Sequence, residues 1–149
     1  WNWFFMIQPY PLPETMINAD PEFYIRRKLS KTDQGTSFFD PRALAEYIRC
    51  IKDPRTVYGM CEDYRATFGV DLDMDTKDFE AGRKIESPVL LLWGATGGVG
   101  RNHNPGPAET WKNYAGDIVA AKAMPSGHYL SEEAPAETTA ALREFFAAA

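Results

Sequence analysis

The segment Ser126-Gly127-His128-Tyr129-Leu130-Ser131-Glu132-Glu133-Ala134-Pro135 carries the residue best suited to chemistry. It sets a histidine on a loop after the last apolar run and shortly before a C-terminal helix. An imidazole titrates near neutral pH, and a loop held by a rigid sheet leaves it free to reach water or a nucleophile. His128 is therefore read as a general base. A second segment, Gly94-Ala95-Thr96-Gly97-Gly98-Val99-Gly100, follows a strand directly and invites a dinucleotide reading, in which glycines admit a pyrophosphate to a helix N-terminus. That helix must begin at once. Here Arg101-Asn102-His103-Asn104-Pro105-Gly106-Pro107 follows, which argues for a loop, with His103 an exposed part of it. The next strand also ends without the acidic residue that would hold a ribose hydroxyl, and no Lys-Ser/Thr marks a phosphate loop. Asp71, Asp73 and Asp75 begin like a calcium loop, but Thr76 stands where glycine is needed and Gly82 where a bidentate glutamate is needed. Cys50 and Cys61 form no metal-binding spacing and read as reduced, buried thiols. Neither a cofactor nor a metal is expected.

Two textures of sequence position these residues, and they meet near residue 85. Residues 1–84 read as an all-helical module. Asp20-Pro21, Asp40-Pro41 and Asp53-Pro54 each set a capping carboxylate before a proline suited to a first helical turn. Leu44, Tyr47, Ile48 and Ile51 then recur at helical spacing, as do Val57, Cys61, Tyr64 and Phe68. Residues 31–36 read as a loop and residues 69–75 as a solvated acidic connector. Residues 85–149 alternate strand and helix. Val89-Leu90-Leu91-Leu92-Trp93 is a short continuous apolar run, as in a strand buried on both faces of a parallel sheet. A glycine-rich loop over 94–106, a helix over 108–114 and a weaker strand over 118–124 follow it. A closing helix runs from Pro135, with Leu142, Phe145 and Phe146 expected to face inward. The alternation defines an α/β layer arrangement.

Composition narrows the classes. The 149 residues are 44% hydrophobic and 25% charged, ordinary values for a globular domain. Net charge is −5 and the basic residues are scattered, so nucleic acid is not an expected partner. The short run Arg26-Arg27-Lys28 reads as a solvated helix face. No apolar run approaches the roughly 20 residues of a membrane span. The opening Trp1-Asn2-Trp3-Phe4-Phe5 lacks the basic and small-residue regions of a secretory leader, and a cytoplasmic location is expected. That opening is also strongly aromatic and begins within a helical pattern, without a starting methionine. Two parallel strands alone leave faces and edges uncovered. Preceding sequence supplying further strands is therefore expected, or else a second copy of the chain, as in a homodimer.

A histidine at this place resembles the general base of α/β-hydrolases, whose catalytic residues follow in the order nucleophile, acid, histidine. Nearly the whole chain then resembles the fluoroacetate (haloacetate) dehalogenases of that fold. The matching stretches are Trp3-Phe4-Phe5, Gln8-Pro9-Tyr10, Ala19-Asp20-Pro21, Phe39-Asp40-Pro41, Cys61-Glu62-Asp63-Tyr64-Arg65-Ala66, Ala81-Gly82-Arg83-Lys84-Ile85, Leu92-Trp93-Gly94 and Ser126-Gly127-His128. The resemblance implies a helical cap followed by the last two parallel strands of the core and their helices. It also implies a reaction. An aspartate attacks the carbon bearing the halogen of a small halogenated acid, and a histidine, here His128, activates water to hydrolyse the ester. By the same resemblance Asn2, Trp3 and Tyr64 correspond to the residues that help the halide leave; indole N–H and phenol O–H are neutral donors suited to a developing anion. Packing within the cap is the competing reading for Trp3 and Tyr64. Asn2 departs from the family's histidine, although its amide can still donate. The nucleophile and triad acid are expected outside these residues, so the chain by itself should be inactive. An epoxide or ester hydrolase on the same scaffold, and a non-catalytic interaction module stable as an oligomer, remain open as alternatives.

Overall fold

Three aspartate-proline pairs start three consecutive helices. In the computed structural model, which describes residues 2–30, 35–102 and 104–148, α1 (Asn2–Met6) and α2 (Leu12–Ala19) precede α3 (Pro21–Leu29), α4 (Pro41–Ile51) and α5 (Pro54–Thr67). The carboxylates of Asp20, Asp40 and Asp53 accept from the backbone N–H of Phe23, Arg42 and Arg55 at 3.0, 2.8 and 2.9 Å. Each such cap stabilises its helix by about 1 kcal/mol. Their apolar stripes meet in one core built on Met6, Ile17, Ile25, Ile51, Val57 and Cys61. Most of the loop expected over 31–36, and His103, lie outside the described residues.

Burial in this core withholds charge. It pushes the Cys61 thiol up to about 11 and the Tyr24 phenol up to about 12, burial being the main cause for both. The folded chain keeps these protons where the unfolded chain, with values near 9.0 and 10.0, releases them. The stability they contribute is whole below about pH 9 and is lost as pH rises toward 12. Lys28, whose ammonium is depressed by burial, works in the opposite sense. The expected result is that the fall in the urea midpoint between pH 9 and 12 is shallower in a Cys61→Ala/Tyr24→Phe variant than in the parent.

The segment read as an acidic connector over 69–75 is instead helical: α6 spans Val70–Glu80. Asp71 and Asp73 in its first turn complement the partial positive charge of a helix N-terminus. Gly82, at φ +65°, ends it in the left-handed conformation that glycine adopts without strain. The chain forms two compact units, Trp1–Thr76 and Lys77–Ala149, with the division inside α6.

In the second unit β1 (Val89–Gly94) and β2 (Ile118–Met124) pair in parallel, with Trp93 opposite Ala123 and Gly94 opposite Met124. Between them lie α7 (Gly98–Asn102) and α8 (Pro107–Trp111), and after them α9 (Leu130–Glu133) and α10 (Pro135–Ala148). The glycine stretch read as pure loop thus holds one short helix, which ends before Pro105, and the helix expected over 108–114 begins and ends earlier. The strand β1 is not buried on both faces: Leu91 and Gly94 are buried and the rest half-buried. Nor does α10 turn all its apolar residues inward. Ala141 is buried, whereas Leu142 and Phe146 are 42% and 70% exposed. Among the described residues no helix is long and apolar enough to cross a membrane.

Candidate active site

The chain leaves β2 at Met124, turns through Pro125-Ser126-Gly127, and presents His128 just before α9. Three sets of contacts fix this turn. The Ser126 carbonyl accepts from the backbone N–H and the hydroxyl of Thr96, at 3.0 and 2.9 Å. The Gly127 peptide lies flat against Gly94 at the end of β1, so close that a Cβ on Gly94 would stand 1.6 Å from the Gly127 oxygen. On the other side, the Glu133 carboxylate accepts from the N–H of Gly127 at 2.7 Å and of Tyr129 at 3.1 Å. Glu133 was not singled out from sequence; the only hint was its place in the first turn after the histidine.

His128 itself is exposed and lines an open cleft of about 570 Å³ with Trp93, Gly94, Gly97, Trp111 and Leu130. The cleft runs along β1 from Val89 to Gly94, and His128 lines it together with the residues at the carboxyl end of the strand. The imidazole packs edge-on against Tyr129, with ring centroids 5.0 Å apart. A solvent-reached imidazole on an anchored turn is able to take and return a proton.

The first unit carries the other three residues. Trp3 of α1 and Tyr64 of α5 meet edge to face with centroids 5.0 Å apart, and Trp3 also meets Phe68 at 5.8 Å. Trp3 is 50% exposed, and Tyr64 is partly buried against the core of the first unit. The Asn2 side-chain oxygen is buried with no hydrogen-bond partner among the described residues. Lys28 corrects the reading of Arg26-Arg27-Lys28 as a solvated face. Arg26 pairs with Glu22 at the surface, but the Lys28 ammonium lies 5.3 Å from the Tyr64 ring centroid and 3.5 Å from the Met60 sulfur. It sits at the end of α3, and only tertiary packing turns it onto the aromatic ring.

Behind Tyr64, the next residue ties α5 to the start of the chain. The Arg65 guanidinium donates to the Gln8 carbonyl at 3.0 and 2.8 Å and pairs with the buried Glu14 at 2.8 Å. Burial raises the Glu14 pKa, but the hydrogen bond and charge of Arg65 outweigh it and hold the carboxyl below its ordinary value.

The fold is that of the C-terminal part of an α/β-hydrolase. No family model matches the chain. The resemblance to the fluoroacetate dehalogenase family holds along nearly the whole chain: it is 34% identical over 147 residues to a fluoroacetate dehalogenase from Burkholderia sp, covering 97% of this chain and 46% of that protein. Among solved structures, a candidate α/β-hydrolase from Nostoc sp PCC 7120 shares 46% identity and superposes with a TM-score of 0.86, over 97% of this chain and 48% of that one. A candidate epoxide hydrolase from Pseudomonas aeruginosa shares 40%, with a TM-score of 0.86 over 99% and 48%. A candidate acyltransferase from Salmonella enterica also shares 40%, with a TM-score of 0.83 over 98% and 47%. The chain spans about half the length of each of these relatives.

Proposed function

We propose that this chain is the cap and C-terminal core of a hydrolase that removes halide from a small halogenated acid. The observation that carries the reading is His128, presented by an anchored turn into the cleft that runs along β1. The dehalogenase relative supports the substrate class. In the reaction an aspartate oxygen, contributed from outside this chain, bonds to the halogen-bearing carbon, and halide leaves with the electron pair of the broken bond. His128 then takes a proton from water. The hydroxide formed attacks the ester, releasing the hydroxy acid and restoring the carboxylate. Trp3 and Tyr64 would donate to the departing halide, and Asn2 would offer an amide donor beside them. Without nucleophile and acid the chain alone is expected to be inactive. A cytoplasmic location, and covering of the sheet by the remaining core or by a second copy, belong to the same proposal.

In the complete protein, His128→Ala is expected to release one halide per site and then stall, with the ester detectable by mass spectrometry. Turnover would fall by about 10³-fold or more, the scale on which loss of a catalytic base acts. Undiminished turnover would remove His128 from the mechanism. The second reading, an epoxide or ester hydrolase, is favoured by the 40% identity to the Pseudomonas protein and by Asn2 in the place of a histidine. Epoxide opening without fluoride release from fluoroacetate would decide for it.

A further inference from the structure

We infer that Glu133 is a positioning residue for His128, holding the turn in the conformation that aims the imidazole. The inference rests on the reading of His128 as base and adds the device that keeps it in place. Glu133 lies at the end of the single turn of helix α9, and its two carboxylate oxygens divide their work. Oε2 accepts from Gly127 N–H at 2.7 Å, and Oε1 accepts from Tyr129 N–H at 3.1 Å. These are the amides of the two residues that flank His128, so one carboxylate ties the backbone before and after the imidazole. The clamp closes on itself, because the Glu133 N–H donates back to the Tyr129 carbonyl at 2.8 Å. A charged acceptor makes each bond shorter and stronger than a neutral one would.

The opposite face of the turn is held differently. There the Ser126 carbonyl is taken by Thr96, and the Gly127 peptide rests on Gly94. Those contacts fix the turn up to residue 127, and Glu133 adds a hold on Gly127 and Tyr129 from α9. Glu133 is the described side chain that bonds on both sides of the histidine. Its carboxylate does not touch the cleft's occupant in this reading; it acts through the backbone of His128.

Three variants of the complete protein test this: Glu133→Ala, Glu133→Gln and His128→Ala. Glu133→Ala should free both amides, so that Gly127 and Tyr129 exchange hydrogen faster. Hydrolysis of the ester should slow on the order of 10- to 100-fold, the scale on which a small misplacement of a catalytic group acts. The burst of one halide per site should survive, since ester formation does not use His128. That pattern separates positioning from unfolding, which would abolish the burst as well. Glu133→Gln keeps one acceptor oxygen and should recover part of both losses. Unchanged amide exchange and unchanged ester hydrolysis in Glu133→Ala would overturn the inference, and so would equal loss of burst and hydrolysis. Failure of the underlying reading shows separately, as full turnover in His128→Ala. Faster exchange at both amides would then still establish Glu133 as the clamp of the turn.

Discussion

Replacing Gly94 with alanine is expected to dislodge the His128 turn and destabilise the second unit by about 3 kcal/mol or more. A Cβ at this position would stand 1.6 Å from the Gly127 oxygen, 2.6 Å from its carbonyl carbon and 2.9 Å from the Ser126 oxygen. All three are backbone atoms, so no rotamer change relieves the clash, and alanine has no rotamers of its own. Neither side can yield cheaply. Gly94 is paired with Met124 at the end of the sheet, and the Ser126 carbonyl is taken by Thr96. Moving the 126–127 peptide away also breaks the Gly127 bond to Glu133. Loss of stability and loss of ester hydrolysis should therefore appear together. Gly98→Ala is the control. It lies in α7 with nothing within 4 Å of a new Cβ, and alanine favours a helix. Urea unfolding of the two variants measures the difference; a Gly94→Ala midpoint equal to the parent's would mean that the turn can back away.

Arg65→Met is expected to cost the first unit about 3–5 kcal/mol, because it leaves the Glu14 carboxylate buried beside no cation. The Glu14 side chain is 6% exposed and that of Arg65 19%, so water replaces little of the lost partner. The Gln8 carbonyl loses two donors in the same step, which loosens the junction of α1 and α2 from α5. The pH response should weaken. In the parent, Glu14 is depressed by Arg65 against the pull of burial, and its contribution to stability is present above the ordinary carboxylate value of 4.5. That contribution is lost as pH falls through the depressed folded value. In Arg65→Met the arginine no longer lowers the carboxyl, and burial is opposed only by hydrogen bonds from the Glu14 backbone and the Cys61 side chain, so the stability lost on acidification should shrink. Unfolding midpoints from pH 3 to 7 would show the two slopes diverging. Parallel slopes would mean that Glu14 finds another partner or solvent.

What could be read from sequence was what depends on neighbours along the chain. Asp20, Asp40 and Asp53 cap helices because carboxylate, proline and the next amides lie within one turn. The apolar runs over 89–93 and 118–124 pair as strands because their residues favour extended backbone and burial. The place of His128 between the last strand and the last helix was legible for the same reason, being a matter of order. Non-local contacts decided the rest. Helix α6 has no buried residue, so no apolar stripe announced it, and its Asp-rich start reads equally as a connector. Apolar content alone placed Leu142 and Phe146 inward, but a narrow sheet covers only the Ala141 stripe of α10. Lys28 belongs to a basic run in sequence and to the Tyr64 ring in space. The Glu133 carboxylate is only six and four residues from the amides it bonds, yet nothing in the sequence distinguished it from Glu132 beside it. Sequence alone put His128 forward as the proposed base, whereas tertiary structure decided what holds its turn: the anchors are hydrogen bonds and close backbone contacts made after the chain has folded.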